Sequence, residues 1–504
     1  MLRYIQSHKE LLGVVTLCIV AFFLHSYALP RDLIFAYDQG RDAFAVQKIL
    51  SGDVVLLGPV TGLDGVFLGP FFTYLLVPFY WLGKGNPIVA AYFIVLLRVL
   101  CVPLLYYLGK KAGGPARNAS HSDVGGWKIG AIASVLFAFS FKNVLFSRWL
   151  SNPTPLTFFS LLLMFSLLKA VKESSYLWYA ISGLILGLCM QLESSNAITY
   201  LLLIPIFLFT VPQFRKKFVQ TSVILVASFS VTLIPQLLFE LRHGFLMTHA
   251  LLRSFATNER VSLIHVLPGR LLLLLSNFSD SVFYRMPPFI IPILIAVTIA
   301  LWMKRKVWWK NIALRLIVLW LLVPFIFHLF YTGNHGNFWE YYMIAQFIPF
   351  YLVLGWGASF PISSAFWRSL RGAIVLVVLF VAIISSMRIW TDWLHPYNDR
   401  FAWSMQTAAA QFMVTDSGSK PYGVWVYTPS YQDEADRYAI EYVGSVTGIY
   451  PQEHAEQQSI IYLFVEDDPV YWTRRRDWIS EKESFGKVTE EKKFGAITVI
   501  RLDR

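Results

Sequence analysis

A short polar cluster, Tyr37-Asp-Gln-Gly-Arg-Asp42, follows the first apolar block of the sequence. Asp38 lies about nine residues beyond the end of that block, at the depth where a membrane lipid presents its phosphate. A carboxylate there can accept a proton from a hydroxyl nucleophile, and Arg41, one helical turn later, can pair with it or with a phosphate. The residues also fit a plain helix start, with Asp38 as N-cap and surface charges after it. Asp38 and Arg41 are therefore candidate catalytic residues.

Two further arginines lie near the ends of predicted membrane spans. Arg148 and Arg242, like Arg41, are candidate phosphate ligands because the planar guanidinium matches phosphate oxygens. Each one also fits an interfacial arginine that reaches toward lipid headgroups. Glu240 can pair with Arg242, and His243 can hydrogen-bond a substrate or only a loop partner. Together with Arg41, these arginines favour a phosphate-bearing ligand at one membrane surface.

Other candidates are weaker. Tyr341 and Tyr342 begin a predicted span, where they fit either an aromatic belt or a contact to a bound lipid. Gln191 and Glu193 occupy a tight polar turn that either lines the same cavity or is solvated. The acidic run Glu466-Asp-Asp468 fits a solvated strand end better than a site.

Composition places these residues in a membrane protein. The 504 residues are 56% hydrophobic and 15% charged, their mean hydropathy is +0.53, and ordinary soluble domains carry about 25% charge. Apolar blocks of roughly 17 to 22 residues match a hydrocarbon core of about 30 Å. The predicted spans, about eleven in number, lie near residues 11–29, 86–109, 128–147, 153–171, 176–191, 195–212, 218–239, 287–303, 312–331, 341–360 and 373–390.

The basic residues predict the orientation. With the N-terminus inside, the short basic clusters all fall on one side, as cytoplasmic loops require. These clusters are Lys110-Lys111 with Arg117 and Lys128, Lys169 with Lys172, Arg215-Lys216-Lys217, Lys304-Arg305-Lys306 with Lys310, and Arg368 with Arg371. The net charge of +12 therefore predicts loops facing the cytoplasm and no nucleic-acid partner. Segments 30–85 and 240–286 and the tail then lie outside.

Two short helices are predicted in the first outer segment, residues 30–85. Asp42 to Leu50 places apolar residues on one face, and Phe71 to Leu82 is aromatic but too short to span. Both fit interfacial helices that lie along the membrane surface. They either seal the loop onto the bilayer or build a site there.

The chain after Trp390 changes character. It carries 12 basic and 18 acidic residues, and its apolar runs shorten to strand length at Gly423 to Tyr427, Ile460 to Val465 and Ala496 to Leu502. A helix is predicted from Asp433 to Tyr442. We therefore expect a membrane domain over residues 1–390 and a small extracytoplasmic α/β domain over residues 391–504.

The first outer segment resembles that of the GT-C glycosyltransferases, in the bacterial branch related to protein O-mannosyltransferases and lipid A aminoarabinose transferase. The likeness covers roughly residues 11–360 and is strongest between 37 and 82. The motifs that carry it are Tyr37-Asp-Gln-Gly-Arg-Asp-Ala-Phe44, Ser51-Gly-Asp53, Leu57-Gly-Pro59, Phe67-Leu-Gly-Pro-Phe-Phe-Thr-Tyr74, Ser147-Arg-Trp-Leu-Ser-Asn-Pro153, Phe239-Glu-Leu-Arg-His-Gly-Phe245 and Tyr341-Tyr-Met-Ile-Ala-Gln-Phe-Ile-Pro349.

This resemblance implies a polytopic helical GT-C fold in the plasma membrane. It also implies a polyprenyl-phosphate sugar donor, inverting transfer at the outer face, and Asp38 as the aspartate that deprotonates the acceptor, which is a protein, a lipid or a glycan. Arg41 then assists catalysis, and the predicted substrate-binding residues are Asp42, Arg148, Asn152, Glu240, Arg242, His243, Tyr341 and Tyr342.

The chain departs from the family pattern at two positions. Relatives often carry an acidic residue where Asn152 precedes Pro153, so a second carboxylate is missing there. The aminoarabinose-type enzymes carry Lys before the proline of the interfacial helix, where this chain has Gly69. The donor phosphate must therefore be held differently.

Two alternatives to an enzyme remain, a transporter of a lipid-linked sugar and a non-catalytic scaffold. A transporter would place ionisable groups near the bilayer midplane, but the predicted spans carry almost no charge. No metal site is predicted, because Asp38 and Asp42 lack a third ligand, although a divalent cation is compatible with them.

Overall fold

The described residues up to Leu394 are mostly helical, as expected of a backbone that must satisfy its own hydrogen bonds in lipid. The computed structural model describes residues 2–113, 125–257, 263–283, 290–331, 337–359, 364–394, 401–418 and 420–504. Arg117, residues 287–289 and residue 360 of the predicted elements lie outside them. The helices of the first 394 residues are α1 Leu2–Ser26, α2 Leu29–Asp32, α3 Tyr37–Leu50, α4 Phe71–Leu82, α5 Pro87–Val99, α6 Cys101–Ala112, α7 Gly126–Phe139, α8 Phe141–Ser147, α9 Leu156–Glu173, α10 Tyr176–Leu192, α11 Ser194–Phe209, α12 Pro212–Lys216, α13 Phe218–Thr232, α14 Ile234–Arg242, α15 Leu246–Thr257, α16 Leu263–Asp280, α17 Ile290–Met303, α18 Arg305–Lys310, α19 Ile312–Leu329, α20 Phe347–Ser359 and α21 Ala365–Leu394.

A helix lies in every predicted span. Four stretches are long and apolar enough to cross a membrane in the described part of the chain, and two bent helix pairs raise that number to six. The four are His8–Ser26, Pro87–Ala112, Ile312–Leu329 and Ala365–Ile384. Because several of the other apolar helices are shorter, the count of about eleven spans stays a prediction.

Two predicted spans are bent. α7 and α8 meet at an angle of 62° and α13 and α14 at 60°. At the first break the Ser140 hydroxyl accepts a hydrogen bond from the Asn143 backbone N–H at 3.3 Å and so caps α8. At the second break Pro235 occupies the first turn of α14, where it has no N–H to continue the preceding helix. The predicted spans 128–147 and 218–239 are therefore each two helices.

The segment 240–286, expected as an outer loop, carries α15 and α16. Leu274 and Phe278 of α16 are buried in the main core, and the Phe278 ring contacts Phe350 of α20 at 4.7 Å between centroids. α16 therefore packs into the helical bundle, and the location of this segment on the outer side of the membrane stays a prediction.

Two buried cations correct the expectation that the spans carry almost no charge. Arg98 of α5 is fully buried and donates hydrogen bonds to the Thr157 hydroxyl and, at 2.9 Å, to the Asn143 carboxamide oxygen. Lys142 of α8 is also buried; it lies 3.1 Å from a Glu340 carboxylate oxygen and donates to Asn277. Lys142 is paired with a carboxylate from a distant segment, whereas Arg98 donates to neutral oxygen atoms.

The α/β domain contains a four-stranded sheet in the order β1-β2-β4-β3. β1 and β2 are parallel, and the other neighbours are antiparallel. Its elements are α22 Trp403–Asp416, β1 Gly423–Tyr427, α23 Glu434–Thr447, β2 Ile460–Glu466, α24 Trp472–Glu483, β3 Lys487–Phe494 and β4 Ile497–Asp503. The three predicted strands and the predicted helix all form. β3 was missed because it is an exposed edge strand rich in Lys and Glu, a composition that protects sheet edges.

The α/β domain packs directly on the first outer segment. Ile34 and Ala402 form an antiparallel β-bridge, and the Phe35 ring lies 4.7 Å from Trp403 and 5.6 Å from Tyr438. Tyr438 also donates a hydrogen bond to the Gly85 carbonyl oxygen at 2.8 Å. Both ends of the segment 30–85 are therefore fixed by the domain that follows the last membrane helix, α21, which continues to Leu394.

Candidate active site

A cavity of approximately 1170 Å³ lies beside the first turn of α3. One part of its wall is polar and comes from α3, the 149–153 stretch and the α10–α11 turn. The other part is apolar and comes mainly from α11 and α19. The polar lining includes Asp38, Arg41, Ser151, Asn152, Glu193, Ser194 and Ser195, and the apolar lining includes Ile198, Leu202, Ile206, Val323, Ile326, Phe327 and Phe330.

Asp38, Arg41 and Asp42 form one ion-pair network on α3. An Arg41 terminal nitrogen lies 2.6 Å from Asp38 Oδ1, and the other lies 2.8 Å from Asp42 Oδ1. The Arg41 Nε–H also donates to Asp42 Oδ1 at 2.9 Å. The Asp38 side chain is 50% exposed and faces the cavity, whereas that of Asp42 is 5% exposed. The predicted pairing of Asp38 with Arg41 is present, and a guanidinium has five N–H donors, so two remain for another ligand.

The helix that carries this network begins at Tyr37, five residues before the predicted start at Asp42. Its N-cap is Ala36, and Asp38 lies inside the first turn, where a negative charge is favourable. The Gln39 carboxamide oxygen accepts from the Ala36 N–H at 2.9 Å, and its amino group donates to the Leu150 carbonyl at 3.0 Å. Gln39 therefore joins the first turn of α3 to the 149–153 stretch of the polar wall.

Burial sets the protonation behaviour of this network. Desolvation raises the pKa of the Asp42 carboxyl to about 6, although the Arg41 charge acts to lower it. For Arg41, burial acts to lower the pKa, but the Asp42 and Asp38 carboxylates outweigh it and raise the pKa. Arg41 therefore stays charged beside the cavity, while Asp42 titrates close to neutrality.

The α10–α11 turn forms a second polar part of the wall. Glu193 is buried and caps α11, accepting backbone N–H bonds from Ser195 at 2.9 Å and Asn196 at 2.7 Å. The Asn152 amide donates to the Leu192 carbonyl at 2.6 Å, which joins the 149–153 stretch to this turn. The turn is therefore buried beside the cavity and not solvated, and Glu193 supplies a carboxylate although Asn152 does not.

Gln191 explains the glycine before Pro70. Its carboxamide oxygen accepts a hydrogen bond from the Phe71 N–H at 3.1 Å, which caps α4. A Cβ atom on Gly69 would overlap the Gln191 side chain. A lysine at position 69, as in the aminoarabinose-type enzymes, would therefore displace Gln191.

Tyr341 and Tyr342 lie in a short 3-10 helix, Glu340–Met343, at the cavity edge. The two rings meet edge to face at 4.9 Å between centroids, and Tyr341 also contacts Trp149 at 5.6 Å. All three aromatic residues line the cavity. This position agrees with a contact to a bound lipid better than with an aromatic belt facing the bilayer.

Arg148, a predicted phosphate ligand, does not line the cavity. Its guanidinium donates to the backbone carbonyls of His25 at 3.3 Å and Tyr27 at 2.5 Å, and lies 3.6 Å from Asp32. These bonds fix the end of α1 to the residues after α8. Its predicted role in phosphate binding stays untested, and its position does not favour that role.

The predicted residues of α14 also lie away from the cavity lining. Glu240 is buried and accepts hydrogen bonds from the backbone N–H groups of Met247 at 2.7 Å and Thr248 at 2.9 Å, so it caps α15 and does not face Arg242. Arg242 and His243 are exposed, and the His243 ring stacks on Phe239 at 4.0 Å. Their substrate-binding roles remain predictions.

Arg270 of α16 is a candidate that sequence reasoning missed. It is 5% exposed, its guanidinium lies 4.5 Å from the Phe338 ring centroid, and its charge interacts with Tyr331 and Tyr342 of the cavity lining. The only sequence signal is a charge inside an otherwise apolar run of α16. In the described residues, no three His, Cys, Asp or Glu side chains converge as metal ligands.

Gly40 of α3 is the point where the α/β domain reaches the site. A Cβ atom on Gly40 would lie 2.5 Å from both the Glu434 carbonyl carbon and the Ala435 nitrogen. Gly40 lies next to Arg41 and two residues before Asp42. The first turn of α23 therefore packs against the helix turn that carries the ion-pair network.

Comparison with solved structures identifies the fold of this chain. No family model matches this sequence, and no curated protein matches it. The crystal structure of ArnT from Cupriavidus metallidurans bound to undecaprenyl phosphate superposes with a TM-score of 0.61 at 12% identity, covering 97% of each chain. Its apo structure gives 0.61 at 11% identity over 98% of each chain. The chain therefore has the fold of ArnT, which confirms the fold implied by the resemblance of the first outer segment.

Proposed function

We propose that this protein is a multi-pass membrane glycosyltransferase that moves a sugar from a polyprenyl-phosphate donor to an acceptor hydroxyl. The observation that carries the proposal is the two-sided wall of the 1170 Å³ cavity, with Asp38 and Arg41 in the polar part and aliphatic and aromatic side chains in the other. Such a cavity suits a lipid chain joined to a polar phosphosugar. The ArnT structure that shares this fold is bound to undecaprenyl phosphate, which supports a donor of this class.

In the proposed reaction the acceptor oxygen attacks the anomeric carbon from the face opposite the phosphate. The bond from that carbon to the phosphate oxygen breaks, and the electron pair leaves on the lipid phosphate. The acceptor proton passes to the Asp38 carboxylate, and the anomeric configuration inverts. Because the lipid phosphate is a good leaving group, a modest base is sufficient, and the main task is to stabilise the departing charge.

Two arginines are the proposed ligands of that charge. Arg41 lines the cavity and has two N–H donors beyond its bonds to the aspartates. Arg270 is outside the lining, but its charge interacts with Tyr331 and Tyr342, which line the cavity. We assign no donor sugar, and the acceptor is a protein, a lipid or a glycan.

We also propose that residues 1–390 span the plasma (inner) membrane from a cytoplasmic N-terminus and that residues 391–504 form an extracytoplasmic domain.

The decisive experiment uses Asp38→Asn. Protein reconstituted in nanodiscs is incubated with a radiolabelled polyprenyl-phosphate sugar and a crude envelope extract. The variant should lose at least about 100-fold in transfer rate, the range of a general base. Asp53→Asn, an exposed carboxylate of the same segment outside the cavity lining, is the matched control and should retain activity.

Full activity of the Asp38→Asn variant would remove this residue from the mechanism. The transporter alternative gains one observation, the two buried cations Arg98 and Lys142 within predicted spans. It predicts movement of the lipid-linked sugar across sealed vesicles and no transfer in nanodiscs, which separate no compartments. Transfer in nanodiscs would exclude both transport alone and a non-catalytic scaffold.

A further inference from the structure

A second cavity, of approximately 630 Å³, lies in the α/β domain at the carboxyl end of β1. Its walls are the loop from β1 to α23 and one side of α24. In open α/β sheets, the carboxyl ends of parallel strands are where ligands characteristically bind. None of its lining residues belongs to the site beside α3.

Aromatic rings form one wall of this cavity. Tyr431 is 78% exposed. The rings of Tyr427 and Trp478 contact each other, with 5.3 Å between their centroids. The Arg474 guanidinium lies 4.7 Å from the Tyr431 ring centroid and 5.0 Å from that of Tyr471. A flat, partly wet aromatic surface of this kind binds ligands that present apolar faces together with polar groups.

Arg474 is fixed in position by the end of β1 and the acidic run that follows β2. It donates to the Tyr427 hydroxyl at 3.1 Å, to the Pro429 carbonyl at 2.6 Å and to Asp468 at 2.9 Å. Asp468 in turn accepts from the Tyr471 N–H at 2.9 Å and from the Tyr427 hydroxyl at 2.8 Å. This part of the acidic run therefore orients a cation at the cavity, a role that a solvated strand end would not have.

Three carboxylates, those of Asp433, Asp477 and Glu481, complete the polar lining. Each is paired with a cation close to it in sequence, at 3.5 Å, 2.8 Å and 2.8 Å respectively, and each carboxylate retains free lone pairs. The fixed guanidinium disfavours a cationic ligand, and the carboxylates disfavour an anionic one. A neutral ligand rich in hydroxyl groups satisfies both donors and acceptors.

We propose that this cavity binds a saccharide, and that the saccharide belongs to the acceptor of the transfer reaction. The ring faces of the sugar stack on Tyr431, and its hydroxyls bond to Arg474 and the three carboxylates. The second half of this proposal rests on the proposed function, since it makes the acceptor a glycan or a glycolipid. The first half is independent of it.

One lining residue of each cavity lies near the contact between α3 and α23. Asp433 of the saccharide cavity precedes Glu434, whose carbonyl carbon lies against Gly40, and Gly40 precedes Arg41 of the larger cavity. With Cα–Cα steps of about 3.8 Å, the Cα atoms of Asp433 and Arg41 lie within about 13 Å of each other. A short oligosaccharide held by the α/β domain can therefore present a terminal hydroxyl toward Asp38.

The test measures saccharide binding with no lipid donor present. The full chain is placed in phosphatidylcholine nanodiscs, because alkyl-glycoside detergents carry the chemistry of the ligand. Maltotriose, cellotriose, mannotriose and chitotriose are screened by saturation-transfer NMR, and the best one is titrated. We expect saturable binding that weakens about tenfold in Tyr431→Ala, the loss of one aromatic stacking contact. Asp477→Asn should also weaken binding, because it removes an anionic acceptor.

Trp472→Ala is the matched control. Trp472 is an aromatic residue of α24, the helix that carries Arg474 and Asp477. It is 60% exposed and lies outside the cavity lining. The affinity of the Trp472→Ala variant for the best trisaccharide should stay within about twofold of that of the unmodified chain. Failure of all four trisaccharides to bind, equal weakening by Trp472→Ala, or competition by a lysine-rich peptide would overturn the saccharide site. Because transfer activity is measured separately, the saccharide site can stand while the proposed function fails, and the reverse. The assignment of the saccharide to the acceptor fails with either one.

Discussion

Gly40 of α3 and Ala435 of α23 are in backbone contact, with no space for a side chain on Gly40. One turn of α3 therefore carries both the packing contact with the α/β domain and the ion pairs that face the membrane cavity. The position of Asp38 and Arg41 depends on how the α/β domain packs, although these residues are separated from α23 by more than 390 positions of sequence.

Gly40→Ala should separate α3 from α23. A Cβ atom at this position cannot be accommodated by a side-chain rotation, because the atoms it meets belong to the backbone. We expect a loss of about 1–3 kcal/mol in stability, together with a lower transfer rate. Thermal unfolding followed by tryptophan fluorescence and the radiolabel assay measure the two effects. Gly372→Ala, where nothing lies within 4 Å of the added Cβ, is the control and should be neutral or slightly stabilising.

Asp42 should make stability depend on pH. Its pKa is raised from 3.8 to about 6 by burial, so the folded state binds more protons than the unfolded state between these values. Stability should therefore fall as pH rises from about 4 to about 6 and stay at its lower value above that, by up to about 3 kcal/mol. Melting temperatures at about pH 5 and about pH 7 should differ less in Asp42→Asn. An equal difference in both proteins would assign the effect to other groups.

Asp436 must be considered beside Asp42. Burial and the charge of Glu466 raise the pKa of Asp436 well above its usual value, which gives a pH dependence of the same sign. The comparison of the unmodified chain with Asp42→Asn cancels this contribution. Only the difference between the two pH profiles is therefore attributed to Asp42.

Gly69 and Gln191 should be energetically coupled. Gly69→Ala drives a methyl group into the Gln191 side chain, which caps α4, and we expect a loss of about 1–3 kcal/mol. In a Gln191→Ala background the same change should cost about 0.5–3 kcal/mol less, because the overlapping atoms are gone. A double-mutant cycle from chemical or thermal unfolding measures this coupling. Additive effects would show that the overlap is relieved elsewhere.

Arg270→Gln should weaken donor binding if Arg270 holds the lipid phosphate. Loss of a charge-assisted contact should raise the KM for the donor about tenfold or more. Arg253→Gln, an exposed arginine of α15 outside the cavity lining, is the control. Steady-state transfer kinetics at varied donor concentration separate KM from kcat. A change in melting temperature without a change in KM would make Arg270 a structural residue only.

The sequence by itself determined the local features of this protein. Apolar blocks of membrane length become helices because a backbone in lipid can satisfy its hydrogen bonds within one segment. Phe71 to Leu82 and Gly423 to Tyr427 form with the bounds that their composition predicts. The spacing of Asp38 and Arg41 also gave their ion pair, because residues three apart share a helix face.

Only the tertiary structure decided which charges meet and which are buried. Lys142 depends on Glu340 and Asn277 from distant segments, and Arg148 turns to the end of α1 instead of the cavity. Arg270 comes close to the lining residues Tyr331 and Tyr342 through helix packing that no local pattern encodes. The same packing decided that Glu193 lines the cavity and is not solvated. The free energy of a buried charge depends on partners brought together by the whole fold, so spacing along the chain could not assign these residues.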